Sequence, residues 1–571
     1  MTSLLLLAFL LQGARDTTPQ RPAPAGTAVI GGTVTTGEAG AKRPLRRAVV
    51  SLAGTAINGV RQAVTDDAGR FVFDRLAPGR FTLIAEKPGY LKTYLGSRRP
   101  GNPPAAPISV IDGQQLLDVA IDVPKGGVVD GTVRDETGAP LASAQVMVQQ
   151  MTYVMGERRF IRAAGGPAWA VTDDRGHYRI WGLPPGEYTA RAGTMSAPIL
   201  TDAEFKLAET QLQTGRVPPA GTRAAGPQLQ RGMAYFPGVA DVTMAQTITL
   251  GLSEERTGVD IVSAPVPAFD MEYIGVSPGG LPITQVSIGL ASLSRQSLYF
   301  SPGIVRMDAM GRGAVRGLAP GRYLFFGRGT ETTDANAPEY WLEAEVDLSA
   351  GHATGVRLQF VTGSRVSGRI RSTGAPLPPF GVGARVQLNP APLIAEAALG
   401  ARTATVNPDG SFAVVNVPPG RYRVEVGGVS GWSAVSAVSQ GIDTLDVPLS
   451  VSPSVDVSDL AVSITDRLTE ISGLVTDAAG RPVPEYSVMV FSQDRNLWSS
   501  PRRFSGAVRI STDGKYRVAG LPPGAYFLAV VTDVDPLQST DPTFLEQLMT
   551  GAVSIRLTDG QKVVQDLRIG G

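Results

Sequence analysis

One stretch of the 571-residue chain has the spacing of a serine-hydrolase nucleophile, because Gly275-Val-Ser-Pro-Gly279 matches the Gly-x-Ser-x-Gly pattern. In that pattern the backbone N–H of the residue after the serine stabilises the oxyanion that forms when the serine attacks a carbonyl carbon. Here that residue is Pro278, which has no N–H to donate. The pattern therefore does not predict a catalytic serine.

Two acidic turns resemble calcium loops, because paired carboxylates suit a hard cation. They run from Asp66 to Gly69 and from Asp173 to Gly176, but neither has the further acidic ligands that a calcium loop needs. We expect these aspartates to cap their own turns. His177, with Arg175 and Arg179 on the same strand, is expected to be a solvated residue. Since the chain also has no cysteine, the sequence predicts no metal site and no cofactor.

Aromatic side chains are the remaining candidates for ligand binding, since exposed Trp or Tyr rings can stack on sugar rings. Trp181 follows Tyr178 and Ile180 on a strand, and strand parity directs it away from the core that those two residues enter. Trp169 and Tyr153 precede it in neighbouring loops. Tyr153, Trp169 and Trp181 therefore form the candidate ligand-binding set.

An alternative interpretation is that these aromatics pack on one another beneath a long loop, and it is the favoured one because isolated surface aromatics are common. The loop runs from residue 195 to residue 231 and contains one stretch, residues 202–213, with the pattern of a surface helix. If residues 152–166 and this loop converge, that end of the domain is the best interaction surface on either interpretation. Trp498 is a further, lower-ranked aromatic candidate.

The charge of the chain indicates neither nucleic acid nor a membrane as a partner, and its hydropathy indicates a signal peptide. The chain has 52 basic and 51 acidic residues and no long run of one sign, so neither nucleic acid nor an anionic membrane is indicated. Leu4–Leu11 is an apolar run followed by small and polar residues, which is typical of a signal peptide cleaved near Ala14. The basic residues that usually precede such a run are missing, so the sequence leaves the position of the true start codon open. No later segment is apolar and long enough to span a bilayer.

The elements that position these residues follow from one short phrase that occurs five times. Each copy combines an apolar residue, one or two prolines, a glycine and an aromatic residue: Leu76-Ala-Pro-Gly-Arg-Phe81, Leu183-Pro-Pro-Gly-Glu-Tyr188, Leu318-Ala-Pro-Gly-Arg-Tyr323, Val417-Pro-Pro-Gly-Arg-Tyr422 and Leu521-Pro-Pro-Gly-Ala-Tyr526. A strand glycine precedes the phrase glycine by 46 to 55 residues in every copy. A period of about 100 residues indicates domain duplication, because solenoid repeats run only about 20 to 50 residues.

Turn signals between short alternating strands predict six or seven strands per unit, the number that a two-sheet sandwich needs. We therefore predict an all-β protein with a tandem array of about five transthyretin-like or immunoglobulin-like β-sandwich domains, placed end to end by short connections. The predicted segments are a signal peptide (1–14), a linker (15–27), sandwich 1 (28–124), sandwich 2 with its long loop (125–264), a degenerate sandwich 3 (265–360), sandwich 4 (361–464) and sandwich 5 (465–571).

The stretch from Gly131 to Tyr188, with its Gly-Thr-Val, Gly-Ala-Pro-Leu, Thr-Asp-Asp-x-Gly-x-Tyr and Leu-Pro-Pro-Gly-x-Tyr elements, resembles the carboxypeptidase regulatory-like domain. Two units, 131–261 and 471–569, resemble it closely, units 29–123 and 366–464 resemble it well, and the third does so poorly. The resemblance implies a transthyretin-like fold, also grouped with starch-binding-like sandwiches, in a bacterial surface or secreted protein. It implies an accessory module and names no ligand.

The chain departs from the metallocarboxypeptidases to which this module is attached elsewhere. Those enzymes bind zinc through His-x-x-Glu and a distant histidine, whereas His177 and His352, the only histidines here, are followed three residues on by Ile180 and Gly355. No peptidase domain is therefore predicted. We predict a non-catalytic, secreted, periplasmic or cell-surface scaffold or adhesion-type protein that has a cell-envelope protein or polysaccharide as its partner. The alternative is a carbohydrate-binding protein that uses the loop-end aromatics of sandwich 2.

Overall fold

The structure is a computed structural model, and the part of the chain that it describes comprises residues 26–37, 41–54, 56–57, 59–97, 108–154, 156–163, 165–193, 198–199, 228–293, 297–299, 307–334, 336–377, 380, 383–391, 400–511, 513–532, 534–535 and 539–569. The predicted signal peptide, almost all of the predicted linker and most of the loop 195–231, with its predicted helix, lie outside these residues. The described residues form successive β-sandwiches, which confirms the predicted fold class.

The chain divides into two compact units, Met1–Lys125 and Gly126–Gly571. The first unit contains sandwich 1. One of its sheets is built on β1, with β2, β5 and β9 beside it, and the other on β3 and β6, with β4, β7 and β8. The strands are β1 (Ala28–Thr36), β2 (Arg43–Pro44), β3 (Val49–Gly54), β4 (Val60–Val64), β5 (Arg70–Leu76), β6 (Gly79–Glu86), β7 (Thr93–Tyr94), β8 (Ile108–Val110) and β9 (Gln115–Asp122).

The second unit begins with sandwich 2. One sheet pairs β10 with β14, β20 and β21, and the other pairs β11 with β12, β13 and β15, which in turn pairs with β18 and β19. The elements are β10 (Gly127–Arg134), β11 (Gln145–Val154), β12 (Glu157–Arg162), β13 (Trp169–Val171), β14 (His177–Leu183), β15 (Gly186–Gly193), β16 (Pro198–Ile199), β17 (Gln228–Arg231), β18 (Ala234–Tyr235), the 3₁₀ turn η1 (Val242–Met244), β19 (Ile248–Leu250), β20 (Glu255–Arg256) and β21 (Ile261–Val262).

Sandwich 3 has the same strand pairing, although its sequence is degenerate. Its first sheet pairs β22 with β25 and β28, and its second has the order β24-β23-β26-β27-β29. Strands β16 and β17, from the insertion in sandwich 2, extend the first sheet by pairing with β22. The strands are β22 (Pro265–Val276), β23 (Gln285–Ser292), β24 (Ser297–Tyr299), β25 (Arg312–Leu318), β26 (Arg322–Thr330), β27 (Tyr340–Asp347), β28 (Ala353–Gln359) and β29 (Val361–Thr362).

Sandwich 4 repeats the arrangement with sheets in the orders β33-β30-β38-β35-β36 and β32-β31-β34-β37. Its opening strand β30 pairs antiparallel with β33 and parallel with β38. The strands are β30 (Ser364–Ser372), β31 (Arg385–Pro390), β32 (Arg402–Thr405), β33 (Ser411–Val417), β34 (Gly420–Gly427), β35 (Ser433–Ser439), β36 (Ile442–Asp443), β37 (Leu449–Val451) and β38 (Val457–Thr465).

Sandwich 5 adds a helix to the common arrangement. One sheet pairs β39 with β42, β45 and β46, and the other has the order β41-β40-β43-β44. The elements are β39 (Glu470–Thr476), β40 (Ser487–Ser492), the 3₁₀ turns η2 (Arg495–Leu497) and η3 (Pro501–Arg503), β41 (Phe504–Arg509), β42 (Lys515–Ala519), β43 (Gly524–Val531), α1 (Pro542–Met549), β44 (Val553–Leu557), β45 (Lys562–Val564) and β46 (Leu567–Arg568). None of the helices among the described residues is long and apolar enough to cross a bilayer.

The repeated phrase turns the chain from one sheet of each sandwich to the other, and its tyrosine closes the turn. The Tyr526 hydroxyl donates to the carbonyl of Pro522 at 2.7 Å, four residues upstream. Tyr188, Tyr323 and Tyr422 make the equivalent bond, whereas Phe81 in sandwich 1 has no hydroxyl to do so. The phrase therefore recurs because it forms a hydrogen-bonded corner with a buried ring, as in other β-sandwiches.

A glycine opposite an aromatic residue forms the centre of the first sheet in each sandwich. Gly131 of β10 is paired with Tyr178 of β14, and a Cβ at Gly131 would lie 2.1 Å from the carbonyl oxygen of Val259. Sandwich 3 reverses the pair, with Tyr273 on the opening strand and Gly313 on the partner strand. The equivalent of Gly131 is therefore Tyr273, and not Gly275, the strand glycine that lies 46 residues before the phrase glycine Gly321. The exchange still places one aromatic ring opposite one glycine, so the divergent sequence retains the same sheet.

The reversal leaves a testable difference between the two tyrosine hydroxyls. Tyr178 donates to the Val259 carbonyl at 2.7 Å, whereas the buried Tyr273 hydroxyl has no hydrogen-bond partner among the described residues. We expect Tyr178→Phe to lower the free energy of unfolding by about 1 kcal/mol, and Tyr273→Phe to leave it unchanged or raise it slightly, because no hydrogen bond is lost. Calorimetry of the two full-length variants checks this, and an equal loss in both would contradict it.

The predicted end-to-end placement is wrong for the second unit, because sandwiches 2 and 5 contact each other. The Thr540 hydroxyl, just before α1, donates to the backbone carbonyl of Tyr153 in β11 at 3.0 Å. Independent modules placed in chain order would not bring together residues 387 positions apart. The contact is tertiary, because it joins the end of β11 to the segment that precedes α1.

Candidate functional site

The acidic turns are used as caps, as predicted. Asp173 accepts hydrogen bonds at Oδ1 from the backbone N–H groups of Arg175 (3.0 Å) and His177 (2.8 Å). These bonds, with the His177 N–H first, hold the pKa of Asp173 below its ordinary value. Asp66 accepts the corresponding two bonds and its pKa is lowered in the same way. The described residues contain no group of three or more His, Cys, Asp or Glu side chains that could hold a metal ion.

The Gly-x-Ser-x-Gly stretch forms a reverse turn. Ser277 is fully buried, and its hydroxyl accepts the backbone N–H of Leu281 at 3.2 Å. Its carbonyl also accepts the N–H of Gly280, so the serine closes the turn after β22. His352 is committed elsewhere, since its Nδ1 accepts the backbone N–H of Asp270 at 3.0 Å. Ser277 is therefore a buried turn residue.

His177 is on the solvent side of β14, as expected, but it has an acidic partner that the sequence did not reveal. Its Nε2 lies 3.0 Å from Oδ2 of Asp130 on the neighbouring strand β10. Arg179 lies 3.7 Å from the same carboxylate. These contacts form a surface cross-strand charge cluster, and they indicate no ligand.

The candidate aromatics do not share one face. Trp181 is 37% exposed and belongs to the sheet of β10 and β14, on the side opposite the buried Tyr178. Trp169 is 45% exposed and pairs with Met147 in the other sheet, on its outward side. The outward faces of two packed sheets point in opposite directions. Trp169 and Trp181 therefore lie on the outward faces of different sheets.

Tyr153 shares the outward side of the second sheet with Trp169, since it lies on β11 six positions beyond Met147 and opposite the side occupied by buried Thr152. At about 3.3 Å per residue the two positions are roughly 20 Å apart along the strand. Tyr153 lies instead at the contact with sandwich 5, where its carbonyl accepts the Thr540 hydroxyl. The structure thus separates the three predicted residues.

Trp498 is buried, so its interpretation as an exposed aromatic is wrong. Its ring is 6% exposed and its Nε1 donates to the carbonyl of Ser492 at 2.8 Å. Helix α1 and the outward face of β40 form a small second core around it with Phe491 and Leu545. The sequence predicted no helix here, so nothing indicated a cover for this face.

Sequence reasoning also missed the residues that join sandwiches 4 and 5. Asp446 and Arg503 form an ion pair whose side chains are 11% and 15% exposed, with Nη2 2.6 Å from Oδ2. Arg503 also donates to the carbonyl of Pro523 at 2.7 Å, and Ser500 donates to Asp446 at 2.9 Å. Asp446 and Arg503 look like ordinary surface charges in the sequence, which carried no signal of their pairing.

A second buried polar contact joins sandwiches 3 and 4. Trp341, 2% exposed, donates from Nε1 to the side-chain oxygen of Asn416 at 2.9 Å. The Asn416 amide donates to Glu339 at 3.1 Å, and the Arg402 guanidinium lies 4.5 Å from the Trp341 ring centroid. Polar side chains of sandwich 4 thus provide interaction partners for Trp341 and Glu339 of sandwich 3.

A cavity of about 470 Å³ that is partly open to solvent lies between sandwiches 2, 4 and 5. Arg421, Arg423 and Asp446 of sandwich 4 line it, together with Arg495 and Glu546 of sandwich 5. Gly156, at the tip of the β11–β12 hairpin, contributes the side formed by sandwich 2. The lining is rich in charge, which suits a polar ligand more than an apolar one.

Comparison with known families identifies the repeated domain. Residues 29–114, 128–214 and 470–568 match the carboxypeptidase regulatory-like domain. Three segments of the chain are thus similar to the carboxypeptidase regulatory-like domain, and the predicted resemblance is confirmed for them. Sandwich 4, for which a good match was predicted, is not among the three matched segments, although its opening strand pairs with its neighbours as that of sandwich 1 does. Domains of this kind favour a structural, non-catalytic role.

Similar solved structures include two pilins and one further bacterial protein. The major pilin RrgB from Streptococcus pneumoniae is 8% identical, with 94% of this chain and 99% of the pilin covered and a TM-score of 0.18. The minor pilin GBS52 of Streptococcus agalactiae is 15% identical, with 42% and 97% covered and a TM-score of 0.21. The Bacillus anthracis TIE protein is 10% identical, with 78% and 74% covered and a TM-score of 0.16. Similarities this low do not support transfer of function. No curated protein matches the sequence.

Proposed function

We propose that the protein is a non-catalytic scaffold or adhesion-type protein, secreted or held at the cell surface, which presents its loops to an envelope protein or polysaccharide. The observation that supports this proposal most is the use of the repeated residues. The phrase tyrosines bond to the backbone of their own corners, and the turn aspartates cap their own turns. The residues that recur in most copies therefore build the sandwiches.

The contacts between sandwiches also suit a scaffold. Buried polar contacts at Trp341–Asn416 and Asp446–Arg503 join sandwiches 3, 4 and 5, and strand pairing between β17 and β22 joins the insertion of sandwich 2 to sandwich 3. Contacts of this kind oppose free movement of one domain against the next. A protein that presents its loops at set distances benefits from such restraint.

Location provides the test of this proposal. With an epitope after residue 571, the full chain expressed in its source cell is expected in the envelope fraction or the medium, with a mature N-terminus just after Ala14 by mass spectrometry. External protease should cleave the cell-bound form. Retention of the intact chain inside protease-treated cells would contradict the proposal.

Carbohydrate binding is the second candidate, and the exposed rings of Trp181 and Trp169 favour it. We expect that a polysaccharide retained by the mature chain is bound at least about tenfold more weakly by Trp181→Ala or Trp169→Ala, because a stacked ring contributes on the order of 1 kcal/mol beyond its buried area. Tyr153→Ala tests the third candidate position. Met244→Ala, also exposed in sandwich 2, is the control. Retention that survives both tryptophan substitutions would remove these residues from consideration.

A further inference from the structure

Strand β4 forms one edge of the sheet of β3 and β6 in sandwich 1. It pairs antiparallel with β3, from Val64 opposite Val49 to Val60 opposite Ala53, and with no other strand that the structure describes. An edge strand presents backbone N–H and C=O groups that its own sheet does not use, so it can pair with a further strand. The free side of β4 is therefore a candidate pairing surface.

A hydrogen bond next to β4 identifies the residues that face its free side. The N–H of Thr65, the residue after β4, donates to the carbonyl of Ala48, just before β3, at 2.9 Å. Backbone groups of successive strand residues point to opposite sides, so Ala63 and Arg61 also bond toward β3. The other three residues of β4 direct their N–H and C=O groups away from β3: Val60, Gln62 and Val64. Among the described residues, none hydrogen-bonds to these outward groups.

The side chains of the same three residues carry no charge. Val60 and Val64 are 60% and 64% exposed, and the exposed Gln62 between them donates to the Ser51 hydroxyl of β3 at 3.2 Å. Proteins usually protect an edge strand with charged residues, proline or a β-bulge. The outward positions of β4 have no charge and no proline, and its register with β3 has no bulge. Its composition is that of a strand with neighbours on both sides.

The sequence of β4 is self-complementary in the antiparallel direction. With Gln62 on a twofold axis, Val60 of one copy lies opposite Val64 of a second copy, and Gln62 lies opposite Gln62. These are the residues with outward backbone groups, so each pair exchanges both of its N–H···O bonds. Valine also packs well against neighbours across a sheet. One register thus pairs the outward backbone groups and brings the exposed valines together.

Arg61, the charged residue of β4, does not oppose this pairing. In the same register it lies opposite Ala63 of the second copy, so the two arginines do not face each other directly. Its charge is met within sandwich 1, because Nη2 lies 3.5 Å from the Asp74 carboxylate and Nη1 donates to the Asp74 carbonyl at 2.8 Å. Like charges directly opposite each other destabilise a strand pair, and this register avoids them.

We propose that β4 is a homodimer interface, at which two copies of the chain pair their β4 strands antiparallel into one continuous sheet. A second copy fits this edge because one register satisfies both strands with the same residues and without opposed charges. Such a twofold interface also closes, since each copy uses its β4 edge once and no fibre grows from it. The inference goes beyond the proposed surface function and does not depend on it.

The test is sedimentation velocity of the purified full chain, from micromolar concentration to its solubility limit. We expect a monomer–dimer equilibrium. Gln62→Pro should raise the dissociation constant of the dimer at least about tenfold, because proline lacks the N–H that forms both bonds at the twofold axis. That N–H points away from β3, so the substitution removes no bond within sandwich 1, and the melting temperature of the variant verifies that it folds.

Thr403→Pro is the matched control for Gln62→Pro. Thr403 is an exposed residue of β32, which forms the edge of the corresponding sheet in sandwich 4. The N–H of Val406 donates to the carbonyl of Ala384 at 3.0 Å, so Thr403, three residues earlier, directs its N–H away from β31. Proline there makes the same backbone change on a different edge, and the dimer should form as in wild type.

Two double variants test the register. Val60→Lys with Val64→Lys places like charges opposite each other and should abolish the dimer, whereas Val60→Lys with Val64→Glu places opposite charges at both positions and should retain it. The proposal is overturned if the wild type stays monomeric at every concentration, which would leave the edge to a strand of another protein or to none. It is also overturned if the two proline variants behave alike, or if the two double variants do.

Discussion

Replacing Asp446 with asparagine is expected to lower the free energy of unfolding at the junction of sandwiches 4 and 5 by about 3 kcal/mol. The substitution keeps the shape of the side chain but leaves the Arg503 guanidinium without its carboxylate in a site where both side chains are 11–15% exposed. Breaking a buried ion pair costs about 3–5 kcal/mol, and the residual exposure places this one at the lower end. Differential scanning calorimetry of the full chain should show the affected transition roughly 6–12 °C lower.

Glu345→Gln is the control for Asp446→Asn, because it removes a carboxylate from an exposed pair with Arg322, whose side chains are 60% and 55% exposed. Exposed pairs contribute no more than about 1 kcal/mol, so its transition should move little. The double variant Asp446→Leu, Arg503→Met removes both charges and should recover part of the loss. Equal effects of Asp446→Asn and Glu345→Gln would show that burial of the first pair does not matter.

The same pair predicts a dependence on pH. Burial acts to raise the pKa of Asp446, but hydrogen bonds and charge from Arg503, with a further contribution from Arg502, outweigh it and hold the pKa below the ordinary value of 3.8. A carboxyl group whose pKa is lower in the folded state adds stability above its unfolded pKa and loses it as the pH falls through the folded pKa. The difference between wild type and Asp446→Asn should therefore be full near neutral pH and shrink below pH 3.8.

Gly176→Ala is expected to destabilise sandwich 2 by about 2–5 kcal/mol. Gly176 ends the Asp173 turn with a φ of +72°, a conformation that costs other residues about 1–2 kcal/mol. A Cβ there would also lie 2.5 Å from the carbonyl oxygen of Val133, and the resulting displacement adds about 1–3 kcal/mol. Hydrogen exchange of peptides from β10, β14 and β15, compared with wild type, measures the loss in this sandwich.

Gly138 provides the matched control for Gly176. It also lies in sandwich 2 with a positive φ, +87°, but no atom lies within 4 Å of the Cβ position. Gly138→Ala should therefore cost only the backbone part, about 1–2 kcal/mol. If the two alanine variants lose the same stability, the contact with Val133 is not what requires glycine in the repeated turn.

Local patterns predicted the parts of the fold that depend on near neighbours. In β14 strand parity predicted that Tyr178 and Ile180 enter the core, and the structure buries both. Trp181 was placed outside the core by the same reasoning and is exposed. Parity of this kind is reliable because neighbouring strand residues must point to opposite faces.

The candidate site was less predictable. Trp169 was predicted to belong with Trp181, but residues close in sequence can lie on different sheets of a sandwich, and these two do. Trp498 has the sequence surroundings of an exposed loop residue, and its burial depends on α1, which begins more than 40 residues later. Asp446 and Arg503 come from two sandwiches, so no single segment of sequence contains their pairing.

The sequence by itself determined the five copies, the turn and corner residues and the all-β fold, because backbone conformation and strand alternation depend on residues a few positions apart. Only the tertiary structure decided that Tyr273 and Gly313 exchange roles, that Asp446 meets Arg503 and that the hairpin of sandwich 2 reaches sandwich 5. These features depend on which surfaces pack together. Burial and charge pairing across such surfaces are properties of the packed domains, and no periodicity along the chain encodes them.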